Sequence, residues 1–99
     1  MPVGKYRSRI EIIYDILNSI DPIKGSRPLK ITSRANLCGN VRQSYLGDVI
    51  DLGLVNVEKV NGHRIHTITD KGFVFIKYSN ILRQLVKEDE YEQERINRR

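Results

Sequence analysis

The sequence predicts an α+β domain in which three helices and a two-stranded ribbon precede a long C-terminal helix. Three observations carry that prediction. The stretch NVRQSYLGDVIDL, 40–52, places apolar residues at Val41, Tyr45, Leu46, Val49, Ile50 and Leu52, spaced for one buried helix face. Gly53 follows it, where a left-handed cap would end the helix. Asn61-Gly62 then separates Val55, Val57 and Val60 from Ile65, Thr67 and Ile68, a strong hairpin signal between β-branched runs. Last, Val74, Tyr78, Ile81 and Leu85 repeat at the 4-3-4 spacing of a coiled-coil seam. A helix that hands over directly to a β-ribbon is the core of a winged helix-turn-helix, here with a C-terminal helix expected to form a dimer coiled coil.

In chain order, residues 1–6 are expected to be a flexible basic arm, 7–72 the winged helix-turn-helix domain, and 73–99 a dimerisation helix with a charged tail. From about Arg7 to Ile20 the apolar positions Ile10, Ile13, Tyr14, Leu17 and Ile20 mark a first helix. Ser8 and Glu11 are spaced for a capping box, and Asp21-Pro22 ends the helix. A loop over 23–28 leads to a short second helix, Leu29 to Leu37. Ile31, Ala35 and Leu37 are expected inward, and Thr32, Ser33 and Arg34 outward. Gly39 breaks the chain and Asn40 caps the next helix. Thr69 caps the last one, where Phe73, Phe75, Ile76, Leu82 and Val86 widen the seam. Past Val86 the seam positions become Glu88 and Glu92, so that stretch is expected to fray or stay solvated.

The net charge of +5 is local: residues 1–47 hold eight Lys/Arg against three acids. A basic front half favours a polyanionic partner, nucleic acid before membrane surface, though it serves solubility equally well. A single cysteine, Cys38, excludes an internal disulfide and points to a reducing setting. No apolar run approaches the ~20 residues of a membrane helix. The N-terminal stretch lacks a signal-peptide core, so a cytoplasmic, nucleoid-associated protein is expected. Neither a phosphate-cradling glycine loop nor a nucleophile–base set is legible, so no enzyme and no cofactor are expected. His63 and His66 lack further ligands nearby and are expected on the wing surface, with no metal.

With RSRIEIIYDIL in front, ITSRANL in the second helix, YLGDVIDLGLV closing the third and TITDKG opening the last, the chain resembles archaeal winged-helix transcriptional regulators of the ArnR-like kind. It is similar too in layout to small archaeal chromatin proteins that dimerise through a C-terminal antiparallel coiled coil. The resemblance covers about residues 7–86. It implies a homodimer on double-stranded DNA, with the third helix in the major groove and the wing against the backbone.

The amino-terminal residues of the third helix are the ones that meet base edges in such a motif. Asn40, Gln43, Ser44 and Gly47 form its outward stripe if Val41, Tyr45, Val49 and Ile50 face inward. Gln43 can pair with adenine and Ser44 with bases or phosphates. Arg34 and Arg42 are expected to clamp phosphates beside the turn, and Lys59 and Arg64 to straddle a groove from the wing tip. Lys5, Arg7, Arg9, Lys24, Arg27 and Lys30 are candidates to extend the basic surface. Val74, Tyr78, Ile81, Leu82 and Leu85 are the expected dimer interface. The function expected is sequence-specific or weakly specific DNA binding, as a transcriptional regulator or a small chromatin protein. The competing expectation is a winged-helix protein-interaction module without DNA binding.

Overall fold

The computed structural model describes residues 7–37 and 40–97, with side chains over 7–37 and 43–87. The arm 1–6, Cys38 and Gly39, and the side chains of Asn40, Val41 and Arg42 lie outside the described residues. The elements are α1 (Arg9–Asn18), α2 (Pro28–Arg34), α3 (Asn40–Asp51), β1 (Val55–Val60), β2 (His63–Ile68) and α4 (Asp70–Asn97). This is the winged helix architecture that the sequence predicts, with β1 and β2 antiparallel and in the register Val55↔Ile68 to Val60↔His63.

Helix α1 starts on the expected capping box: the Glu11 amide donates to Ser8 Oγ at 3.1 Å and the Ser8 amide to Glu11 Oε1 at 3.4 Å. Its buried face is Ile12, Ile13, Ile16 and Leu17, continued by Ile20. Ile10 is exposed, contrary to expectation, because the face that meets α2 and α3 is centred on Ile13 and Ile16 rather than on Tyr14. These residues close over Ile31 of α2 and Ala35 at its end, Leu46 and Val49 of α3, and Leu37, Leu54 and Val55.

Helix α2 is shorter than expected. Its proline stands at the first helical position, where a missing N–H costs nothing. Its end is a Schellman turn with Asn36 at φ 58°, the Leu37 amide returning to the Thr32 carbonyl at 2.8 Å. Thr32 is buried, not outward, and its hydroxyl donates back to the Pro28 and Leu29 carbonyls. That back-bonding satisfies the one polar atom the side chain carries into the core. Arg7 seals the same helix end: its guanidinium donates to the Ala35 carbonyl at 2.8 Å and the Asn36 carbonyl at 3.2 Å while pairing with Asp15 at 2.7 Å.

The α3-to-α4 corner is interlocked. Leu54 N–H returns to the Val49 carbonyl across Gly53, and both apolar side chains are buried. Thr69 caps α4 by accepting from the Gly72 amide at 3.0 Å, and its hydroxyl donates to the Gly53 carbonyl at 2.6 Å. Lys71 Nζ donates to the Leu52 carbonyl at 2.6 Å, placing a cation at the negative end of α3. Gly72 is required here, since a Cβ would collide with the Leu54 carbonyl and lie 2.7 Å from Ile68 Cγ2. From there α4 runs helical to Asn97, through the stretch past Val86 that the sequence leaves to fray or stay solvated.

One pairing extends the ribbon beyond its two strands. Ser26, in the α1–α2 loop, exchanges both backbone hydrogen bonds with His66 at 2.9 and 2.8 Å. Asp21 shapes that loop by accepting from the Ile23 and Lys24 amides, which hold its carboxyl below the ordinary 3.8. Gly25, at φ 77°, lies so close to β2 that a Cβ would sit 2.7 Å from the His66 carbonyl oxygen. Gly25→Ala is therefore expected to cost about 2 kcal/mol or more in a urea melt. Gly62→Ala, at φ 80° with open space around it, carries only the conformational part and should cost less. Equal losses would sink the packing argument.

Candidate nucleic-acid interface

The antiparallel register decides which side chains of the ribbon act together. Directly opposed residues share a face, so Val55, Val57 and Lys59 lie with Ile68, His66 and Arg64. That face begins in the core at Val55 and ends at two exposed cations, Lys59 and Arg64, beside the Asn61-Gly62 turn. Asn61 and Gly62 both take positive φ, as the turn demands.

Arg64 and His66 form one wall of a cavity of about 560 Å³. Pro28 and Leu29, at the start of α2, form another, and Gln43, Leu46, Gly47 and Ile50 of α3 complete it. Gln43, Gly47 and Ile50 are spaced four and three apart, one face of the helix. Ile50 therefore lies on the Gln43 side and is partly exposed, not turned into the core with Val49. Leu52 is exposed as well, because the chain is already leaving the helix there.

The structure thus brings Gln43 and Arg64 together, with Lys59 beside them on the ribbon. Ser44 is exposed about 100° round the helix from Gln43 and does not line the cavity. Arg34 stands elsewhere: its Nη1 reaches the Ser19 carbonyl at 3.4 Å. With Lys24, Arg27 and Lys30 it surrounds a second concavity of about 570 Å³ against Ile65, on the opposite face of β2 from Arg64. Arg9 pairs with Asp48 at 3.4 Å, and Arg7 serves the end of α2. Asn40 and Arg42 share the start of α3 but their side chains are outside the described residues.

His66 departs most from expectation. It is 3% exposed rather than on the wing surface, and its Nδ1 has no hydrogen-bond partner among the described residues. Burial and then the charge of Arg64 hold its pKa below the ordinary 6.5. His63 lies on the other face of the strand, which separates the two imidazoles. Sequence periodicity could have placed His66 inward, since it shares the parity of Ile68; what it could not show was Ser26 pairing with it from the α1–α2 loop.

The chain matches the winged helix-turn-helix family over residues 6–89. It belongs to that family. Among solved structures, Sso10a-2, a DNA-binding protein from Sulfolobus solfataricus, is similar with a TM-score of 0.76 and 22% identity, over 92% of this chain and 94% of that one. BpsR of Bordetella bronchiseptica, whose DNA binding is regulated by 6-hydroxynicotinic acid, matches with a TM-score of 0.67 and 9% identity, over 90% and 64% of the two chains. A predicted DNA-binding transcriptional regulator from E. coli matches with a TM-score of 0.54 and 12% identity, over 72% and 75%. At these identities the likeness is one of fold. No curated protein matches the sequence significantly. Among the described residues no helix is long and apolar enough to cross a membrane.

A buried neutral histidine sets a pH dependence. The unfolded chain takes up a proton near pH 6.5 and the folded chain resists it, so stability is full above 6.5 and declines as pH falls below it. Urea melts at about pH 7.5 and about pH 5 should show that decline, and His66→Phe should flatten it. Asp21, with its depressed pKa, contributes a separate loss only below 3.8. An unchanged slope in the histidine variant would mean that His66 titrates freely.

Proposed function

We propose that this protein binds double-stranded DNA as a homodimer, with the start of α3 in the major groove and Lys59 and Arg64 on the flanking phosphates. The observation that carries this reading is the convergence of Gln43 on α3 with Arg64 on β2 at one cavity, Lys59 standing across from Arg64. A base-edge donor–acceptor and two backbone cations then face one duplex. Family membership and the DNA-binding proteins among its structural neighbours support the same reading. Asn40, Arg42 and Ser44 belong to the same helix start and are proposed to join the contact. An amide and a hydroxyl with few cations read bases sparingly, so specificity is modest, as suits a small chromatin protein or a regulator with a loose operator.

Helix α4 supplies the second half of the proposal. Its Phe75 and Ile76 pack on the core, and Asn80 and Arg83 engage Tyr14 of α1. Val74, Tyr78, Ile81 and Leu85 project from the opposite side and are 45–60% exposed. Leu82 and Val86 flank them, also exposed. Covering the free half of each seam residue stabilises by on the order of 1 kcal/mol, counted on both helices. That sum is comparable to the cost of association, about 4–15 kcal/mol, so the flanking residues must be covered too. A second copy of the same stripe covers all of them at once.

Two measurements test these halves separately. In fluorescence-anisotropy titrations with random duplex, Lys59→Ala and Arg64→Ala should each reduce the slope of log K against log salt by about 0.9. Unchanged affinity and slope in both variants would remove the wing from the interface. Light scattering should give a dimer for the native chain and a monomer for Tyr78→Glu/Leu85→Glu; a native monomer at all concentrations would end the coiled-coil half.

A further inference from the structure

We propose that Ile50 and Leu29 read the C5 methyl groups of thymine while Gln43 holds an adenine within the same few base pairs, so that the protein prefers A·T-rich duplex. The proposal rests on the DNA-binding reading and adds a base preference to it. Phosphates are charged and hydrated, so a large apolar side chain gains nothing against them. Leu29 is nonetheless 70% exposed and Ile50 38% exposed, and both line the concavity that Gln43 and Arg64 share. They come from different helices, α2 and α3, and converge on the side where the duplex is placed. An apolar group on the duplex is what such a pair can use.

Among the four bases only thymine carries an apolar group on its major-groove edge, and its partner adenine presents the acceptor and donor that a glutamine amide matches. Guanine offers two acceptors, which suit a cation, and cytosine a donor, which suits a carboxylate. Of the described residues on α3, Gln43, Leu46, Gly47 and Ile50 line the concavity, and none is charged. Asp48 pairs with Arg9 instead. Gly47 stands between Gln43 and Ile50 on that face and has no side chain to hold a duplex off. Gln43 and Ile50 are two helical turns apart, about 10.5 Å along the axis. With α3 lying along the groove, that is about three base-pair steps of 3.4 Å. One A·T pair therefore does not satisfy both residues, and a short A·T-rich run does.

The test is a set of anisotropy titrations of the full chain with one A·T-rich duplex in three forms. The first carries thymine, the second uracil throughout, which deletes only the C5 methyl, and the third 7-deazaadenine, which replaces the adenine N7 acceptor with carbon. Uracil should weaken native binding about fourfold for each methyl covered, and 7-deazaadenine about fivefold. The dependence on salt should be the same for all three, because the phosphates are unchanged. Leu29→Ala/Ile50→Ala should erase the difference between thymine and uracil and keep that of 7-deazaadenine; Gln43→Ala should do the reverse. A urea melt checks that the double variant folds. If it does not, Leu29→Ala alone, at a surface position, should still narrow the thymine-to-uracil ratio. Equal native affinity for thymine and uracil duplexes, with salt-dependent binding to both, overturns the methyl contact and leaves the DNA-binding reading standing. A ratio that the folded apolar variants leave unchanged overturns it as well. Failure to bind any of the three forms at low salt overturns the DNA-binding reading and this proposal with it.

Discussion

The reciprocal backbone pair between Ser26 and His66 is the constraint on which the arrangement of the candidate interface depends. It joins the loop ahead of α2 to the strand that carries Arg64, across forty residues of chain. A two-stranded ribbon alone is marginally stable and free to swing. Here a third segment, fixed at Asp21 by its own turn and pressed onto β2 by Gly25, holds the ribbon against the helical core. The position of Arg64 relative to Gln43 follows from that pairing rather than from any contact between the two side chains. The same pairing buries His66, so a structural bond and an unsatisfied imidazole arise at one residue.

Helix α4 has two faces, one packed on the domain and one exposed. Gly72, Phe75, Ile76, Asn80 and Arg83 are spaced to meet the domain, and the aromatic ring of Tyr14 takes the Arg83 guanidinium at 3.7 Å. Packing on its own core therefore leaves the proposed pairing with another copy open to this helix. The face committed to the domain fixes the direction in which the seam residues project. Both faces come from residues 72–86, and the helix goes on beyond them.

Much of the fold was legible because it rests on local chemistry. The Ser8–Glu11 box, Gly53, the Asn61-Gly62 turn and Thr69 each act within five residues, and each stands where the sequence placed it. The errors fall where a distant segment decides. Ile10 satisfies the periodicity of α1 but misses the face that α2 and α3 select. Thr32 reads as a surface residue until its back-bonding is seen. Ser26 carries no strand signal at all, because one residue paired across a loop has no periodicity. The basic residues were hardest, since a sequence counts charges without showing what each one touches.

The contacts of each basic residue decide how the charge of the chain is used. Arg7 is bound to Asp15 and two carbonyls, Lys71 to the end of α3, and Arg83 to an aromatic ring. These cations hold the fold together and add little to a phosphate contact. Asp48, an acid on the proposed reading helix, would oppose DNA if it shared the face of Gln43. It lies about 140° round the helix from that residue and stands within 3.4 Å of Arg9. An exposed pair of this kind contributes little to stability, but it keeps a negative charge off the side that carries Gln43. The distribution thus matters more than the net value of +5. Lys59 and Arg64 remain for one face of the ribbon, and Lys24, Arg27 and Lys30 lie against the other, which makes the ribbon the boundary between two separate basic surfaces.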